Sequence, residues 1–388
     1  MSAASISRIV VRGVNWLGDA IMTLPALTRL RERFPEARIT LVSREKLAGV
    51  LTGQPVIDEV VAIPNRHGVF ATANAIRNTR ADAALILPNS MRTALEMWLA
   101  GVPVRVGRDH GFRRLLLTHA VSVDSALFAM PKKSPTEIRS LLGNSGRSGI
   151  RAPIRRHHVH QYLELVKAFG ASGEACPPRL VISHEAVAQA SARFGLPPGG
   201  SSPAKLIGVN PGAEYGPAKR WPLDRFAEAV RQVAAVRPVD VLIFGGPADR
   251  PAANRLVSLL TEVAGKGIGF VRAVAGETSL TELVALARRC DVFLSNDSGP
   301  MHVAAAAGTR VVGVFGSTSP ELTGPGLADE RFHRLLRRPP ACAPCFLRNC
   351  PVDTRCLAAI APGQVSAAVL ELLAEGSPLS SSSAVEAS

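Results

Sequence analysis

Residues 8–34 read RIVVRGVNWLGDAIMTLPALTRLRERF, and this stretch decides the fold. A short apolar run, Ile9-Val10-Val11, meets Gly13; a Gly18-Asp19 pair follows, and from about residue 20 the apolar residues recur at helical spacing. The pattern is strand, turn, helix. Pro25 either opens that helix in its first turn or kinks it. The turn puts a carboxylate, Asp19, where phosphate-binding turns usually carry glycines and a lysine.

The same unit repeats outward. Strands are expected at 8–14, 38–43, 58–63, 82–87 and 103–107, with helices at 20–34, 44–52, 69–80 and 90–100. Nearly all-apolar strands alternating with helices predict a parallel sheet covered on both faces. From 124 to 160 the pattern gives way to Lys, Ser, Gly and Arg, read as a mobile excursion before a helix near 159–169. GLPPGGSSPAK (195–205) reads as a linker. The alternation then restarts, with strands at 206–210, 239–245, 269–274, 291–295 and 310–315 and helices at 223–236, 249–264, 280–289 and 300–307. Ser279 and Glu282 form a capping-box pair, and Gly308 supplies a C-terminal stop. Two such half-chains predict two facing doubly wound α/β domains, with ligands beyond the carboxyl ends of the strands. The Ser-rich end after Gly376 reads as disordered.

Composition narrows the function. The 388 residues are enough for two or three domains, each with its own core. No window of about eighteen residues is continuously apolar, so no membrane span is expected. Arg8 and Arg12 box the first apolar run too tightly for a secretory signal. The six cysteines are then expected to be reduced thiols or metal ligands in a cytoplasm. A net charge of +14 asks for an anionic partner: nucleic acid, a membrane face or a phosphorylated substrate. With aromatics at 5% and no zinc-finger or RNP motif, nucleic acid is set aside. Neither a G-x-G-x-x-G turn nor a Walker lysine motif is present, which argues against hydride transfer and P-loop hydrolysis.

Three strand-end loops carry candidate chemistry. Gly18-Asp19 is the first. In NPGAEYGPAKRWP (210–222), Gly212 and Gly216 let backbone approach a ligand, while Lys219 and Arg220 neutralise phosphate charge. In SNDSGPMHVAAAAG (295–308), an Asp-Ser-Gly turn feeds a small-residue helix whose free N–H groups favour an anion. Each has a plainer alternative. Asp19 caps a helix, Lys219 and Arg220 are solvated charges, and Asp297-Ser298-Gly299 is a turn and cap with His302 packed one turn later. Asn89 and Ser90, ending LILPNS, and Asp249, after FGGP, lie at further strand ends.

Taken in order, NWLGDAIMTLPAL, NPGAEYGPAKRWP and SNDSGPMHVAAAAGTRVVGVFGSTSP resemble the bacterial ADP-heptose:lipopolysaccharide heptosyltransferases, glycosyltransferase family 9, over about residues 8–375. The Asn-Trp-Leu-Gly-Asp opening and CAPCFLRNC are most similar to the heptosyltransferase II branch, which adds the second inner-core heptose. The basic, Gly/Ser-rich 131–160 segment departs from the family pattern. The resemblance implies a GT-B fold, in which two Rossmann-like domains face each other across a cleft. An acceptor domain would span 1–180 and an ADP-sugar domain 181–362; a helix at 363–376 would cross back to the first, ahead of a disordered tail, 377–388. It implies inverting transfer of L-glycero-D-manno-heptose from ADP-heptose to a lipid A–Kdo–heptose acceptor, with Asp19 as general base. Lys219, Asp297, Ser298, Gly299 and His302 would bind the donor, joined by Gly212 from its place in the loop. From strand-end position alone, Asn89 and Ser90 are candidates for the acceptor and Asp249 for the nucleotide, each ranked below the plainer reading of a turn or a cap. Lys219 and the helix start at 298–302 would do for the diphosphate what other transferases assign to a divalent metal, so no cofactor is required. Other readings of the same fold are a heptosyltransferase I, another nucleotide-sugar transferase or epimerase, or an inactive nucleotide-sugar-binding protein. The positive charge would hold a cytoplasmic enzyme at the inner face of the membrane where such an acceptor is made.

Cys342, Cys345, Cys350 and Cys356 follow C-x2-C-x4-C-x5-C, which invites a structural zinc or iron–sulfur reading. The first pair has ligand spacing; the second does not repeat it. Reduced thiols in a folded loop are the preferred reading, with a structural metal at the four as the less favoured alternative.

Overall fold

The computed structural model describes residues 6–143, 156–198, 203–262, 267–329 and 331–375. The Ser-rich end, the centre of the expected linker and part of the expected excursion lie outside them. The chain divides into two compact units, Met1–Phe128 with Arg155–Val181 and Ala129–Ile154 with Ile182–Ser388.

The first unit holds a sheet of Arg8–Arg12 (β1), Arg38–Arg44 (β2), Glu59–Ile63 (β3), Ala83–Ile86 (β4), Val104–Arg108 (β5) and His119–Val121 (β6), ordered β3-β2-β1-β4-β5-β6. The second holds Lys205–Asn210 (β7), Val239–Ile243 (β8), Ile268–Ala273 (β9), Val292–Asn296 (β10), Arg310–Phe315 (β11) and His333–Arg337 (β12), ordered β12-β11-β10-β7-β8-β9. Neighbouring strands pair in parallel in both sheets. Counted from its own first strand, each sheet has the same doubly wound order. The order reverses between β1 and β4 in one unit and between β7 and β10 in the other. In such sheets the crevice for a ligand opens at that reversal.

The expected strands all form. Two more, β6 and β12, were not expected: His119–Val121 is too short to show alternation, and the arginines of HRLLR mask its apolar centre. Helices at Pro135–Gly143 and His184–Arg193 also went unread. The first helix begins at Leu17 and runs through a buried Pro25 to Arg33, so the proline neither opens nor ends it.

Residues 129–143 lie inside the expected first domain but belong to the second unit. Lys133 Nζ donates to the carbonyls of Cys342 (3.1 Å) and Pro344 (2.5 Å), and its backbone N–H donates to Cys345 O. The helix Pro362–Ala374, expected to cross back to the first domain, packs in the second unit. Val365, Val369 and Leu372 join a core with Phe226, Val230 and Leu357. There Trp221 meets Phe226 edge to face at 4.9 Å and donates its indole N–H to Ile360 O.

One buried ion pair stands out in the first unit. Arg12, at the end of β1, donates from Nε to Glu96 at 2.9 Å, the two side chains being 3% and 0% exposed. Arg92 reaches the other carboxylate oxygen at 3.0 Å. Taking away one partner of such a pair strands the other charge in the core. Glu96→Ala is expected to destabilise the first unit by about 3–5 kcal/mol, read as a lowered urea midpoint; a loss below about 1 kcal/mol, typical of surface pairs, would contradict the buried reading.

Candidate functional site

In the first unit the segments that follow β1 and β4, neighbours at the reversal of strand order, carry Asp19 in the first turn of a helix and Asn89 and Ser90 in a loop. Trp16 occupies the cap position of the first helix, so Asp19 is not its cap; it sits in the first turn, where the helix dipole favours a negative charge. Within its electrostatic reach is the buried Tyr162, from the helix Val159–Lys167. Burial first, and then the charge of Asp19, push the Tyr162 phenol well above its ordinary pKa. Arg108, at the end of β5, acts on the same phenol in the opposite sense and bonds Gln161 at 3.4 Å. Ser90 caps the helix Met91–Leu99, its Oγ accepting the Thr93 N–H at 3.3 Å, so the plainer reading of this hydroxyl is the observed one. Asn89 is exposed.

In the second unit the loops after β7 and β10 meet at the equivalent reversal. Lys219 Nζ lies 2.6 Å from Asp297 Oδ2, with the side chains only 13% and 4% exposed. Thr318 Oγ1 donates to the same oxygen at 2.5 Å. Burial works against the Asp297 charge. The Lys219 ammonium, the two hydrogen bonds and His302 outweigh it and hold the carboxyl below its ordinary range. Lys219 also stands over the Tyr215 ring, 4.9 Å from its centroid, and Arg348 approaches the same ring at 5.2 Å.

Two asparagines fix the loops that carry this pair. Asn296 accepts the Trp221 N–H at 3.0 Å and donates to Pro211 O at 2.7 Å, clamping both ends of the 210–222 loop. Asn210 donates to Gly212 O at 3.2 Å and to Ser298 Oγ at 3.0 Å, joining β7 to the turn before the helix Gly299–Ala306. That turn leaves N–H groups at the start of the helix, and His302 is buried one turn in. Gly212 has a reason its sequence context did not reveal. A Cβ there would lie 2.5 Å from the Asp249 carboxylate, which packs against the loop and accepts the Gly246 N–H. Arg220 donates to Ala213 O and approaches Asp249 at 4.0 Å, so it braces its own loop.

The cysteine segment buttresses this loop from behind. Ser317 O accepts the N–H groups of Cys345 and Phe346, Arg348 O accepts Ala218 N–H, and Tyr215 Oη donates to Phe346 O at 2.7 Å. A side chain at Gly216 would strike Arg348 O at 2.6 Å. All four cysteines of the segment are free thiols lining one pocket with Ala218 and Ser317. Burial and then the neighbouring thiols push Cys356 up to about 11. Among the described residues no group of three His, Cys, Asp or Glu side chains is placed to hold a metal ion.

The structure thus gathers Gly212, Lys219, Asp297, Ser298, Gly299 and His302 into one region of the second unit and sets Asp19 with Asn89 and Ser90 at the reversal in the first. Tyr162, Arg108, Asn210, Asn296 and Thr318 were not singled out from sequence. One signal was available: the chain has two tyrosines, one within electrostatic reach of Asp19 and the other under Lys219.

The sequence model of glycosyltransferase family 9 (heptosyltransferase) matches residues 137–355. Lipopolysaccharide heptosyltransferase 2 of Escherichia coli is 29% identical over 342 residues, covering 85% of this chain and 88% of that protein. The enzyme of that name from Salmonella typhimurium is 30% identical over the same shares. Among solved structures, E. coli ADP-heptose lps heptosyltransferase II matches with a TM-score of 0.75 and 27% identity, covering 95% of this chain and 99% of that one. The likeness identifies a GT-B fold, each unit being a Rossmann-like doubly wound domain.

One buried histidine gives the second unit a pH signature. His333 Nδ1 accepts the Val311 N–H at 3.2 Å. Burial, helped by His302, Arg310 and Arg334 and opposed by Asp329, lowers its pKa from 6.5 to about 4. The folded state therefore keeps the neutral ring while the unfolded chain takes up a proton. The resulting stability is whole above pH 6.5 and falls as pH drops toward 4, by about 3 kcal/mol in total. His333→Asn keeps an acceptor without titrating, and urea unfolding across this range should show a shallower loss. Parallel curves for the two proteins would contradict the assignment.

Proposed function

Because the chain belongs to glycosyltransferase family 9, we propose that it moves L-glycero-D-manno-heptose from ADP-heptose to the first heptose of the lipopolysaccharide inner core. The acceptor hydroxyl attacks C1 of the donor sugar, and its proton passes to the Asp19 carboxylate. The C1–O bond to the β-phosphate breaks on the opposite face, ADP leaves with the bonding electrons, and C1 is inverted. Lys219 and the N–H groups opening Gly299–Ala306 stabilise the charge that gathers on the diphosphate, and this reading requires no divalent ion. Asp297 acts through Lys219, holding the ammonium in place. Asn89 contributes to the acceptor side, whereas the Ser90 hydroxyl is committed to its helix.

The observation that carries this reading is the Lys219–Asp297 pair at 2.6 Å, spanning the β7/β10 reversal at the positions where the resemblance puts the donor diphosphate. The lipid-linked acceptor and the net charge of +14 support work at the cytoplasmic face of a membrane. Among the described residues no helix is long and apolar enough to cross one.

Incubation with ADP-heptose and acceptors carrying no heptose or one heptose, read by mass, tests the proposal. Only the acceptor that already bears a heptose should gain one; extension of the bare acceptor instead would make the chain a first-heptose transferase. Asp19→Ala should keep ADP affinity and lower kcat by about 10²–10⁴, and a near-normal rate would remove Asp19 from the chemistry.

A further inference from the structure

The helices Val69–Asn78 and Met91–Leu99 pack side by side on the first sheet, and the turn Gly111–Leu116 packs against the second of them. Their inner faces supply Ala73, Ile76, Ala94 and Met97 to the core, with Leu116 and Leu117 packed against it. Their outer faces are also apolar. Phe112 and Leu115 are 82% and 80% exposed, and residues three apart in a 3-10 turn point the same way. Met91 and Trp98, seven apart on one helix, share a face and are both exposed. Phe70, on the adjoining helix, is 78% exposed. Five of the eleven large apolar side chains exposed among the described residues fall in this one layer. None of them serves the core, so the folded unit gains nothing from their being apolar.

The stretch of chain that builds this layer is basic. Between residues 64 and 122 there are eight arginines and three acidic residues, a net of +5. The acids are already engaged: Asp82 accepts the N–H groups of Ser7 and Arg8, Glu96 is buried against Arg12, and Asp109 faces Arg114. Arg66, Arg77 and Arg80 are exposed. Beneath the turn Arg113 is buried, and none of its three guanidinium nitrogens has a hydrogen-bond partner, so its charge adds to the field of the face.

We propose that this outer face, centred on Phe112, Leu115 and Trp98, docks the protein on an anionic lipid bilayer. Aromatic and aliphatic side chains standing out among arginines are the composition of an interfacial membrane contact: the apolar groups enter the headgroup–acyl boundary and the guanidinium groups meet lipid phosphates. A second copy of the chain on this face would oppose two like-charged surfaces. The surface extends the reading of a lipid-linked acceptor, but vesicle binding is measured without substrate, so either can fail alone.

The full chain is sedimented with vesicles of phosphatidylcholine alone and of phosphatidylcholine mixed with phosphatidylglycerol. Binding should need the anionic lipid and weaken with salt. The double variant Phe112→Ser, Leu115→Ser should bind the anionic vesicles on the order of tenfold more weakly. Its turnover with a de-acylated, water-soluble acceptor should be unchanged, which also shows that it folds. The proposal is overturned if the anionic vesicles bind no protein, if the double variant binds as well as the unchanged chain, or if the variant's only change is loss of a dimer in the absence of lipid.

Discussion

A carboxylate buried at the carboxyl end of a central strand is costly unless a cation meets it, and at Asp297 that cation is Lys219. The two come from loops about eighty residues apart in sequence, joined only because β7 and β10 are neighbours where the strand order reverses. Much of the local structure follows from holding that contact. Asn296 clamps the long loop at both ends so that Lys219 is delivered to one place. Gly212 and Gly216 leave room for the Asp249 carboxylate and the Arg348 carbonyl, which press on the loop from either side. The cysteine segment, whose spacing looked like a metal site, supports the same loop through backbone hydrogen bonds at Ser317, Phe346 and Arg348.

The first unit repeats the topology with different chemistry. At its reversal the first helix turn after β1 presents the Asp19 carboxylate within electrostatic reach of the buried Tyr162 phenol, where the counterpart in the second unit presents a lysine. The ion pair of Arg12 with Glu96 does for this sheet what the asparagines do for the other, fixing the end of β1 just before the turn into the first helix. Under the proposed reading, one topology used twice would separate the two requirements of a group transfer, a base in one unit and a diphosphate cradle in the other.

The alternating core was legible in the sequence because parallel strands covered on both faces are nearly continuous apolar runs, as in Val239–Ile243 and Arg310–Phe315. The strand-end loops were legible because glycines and charges interrupt those runs. Residues whose roles depend on tertiary neighbours were not. Tyr162 is one position among the buried apolar residues of its helix, and nothing in its local sequence relates it to Asp19. The reason for Gly212 lies in Asp249, and Ser90 is a helix cap that strand-end logic had offered to an acceptor. The last helix, Pro362–Ala374, shows its amphipathic pattern in sequence, but only the packing of Val365, Val369 and Leu372 assigns it to the second unit.

The central claim is that Asp297 serves the donor by holding Lys219. A double-mutant cycle read by ADP calorimetry tests this most directly, using Asp297→Asn, Lys219→Ala and both together. The account predicts strong non-additivity: each single variant weakens ADP binding, and the double variant binds no worse than Lys219→Ala alone. Losses that simply add, or an Asp297→Asn protein that binds ADP as well as the unchanged chain, would contradict it.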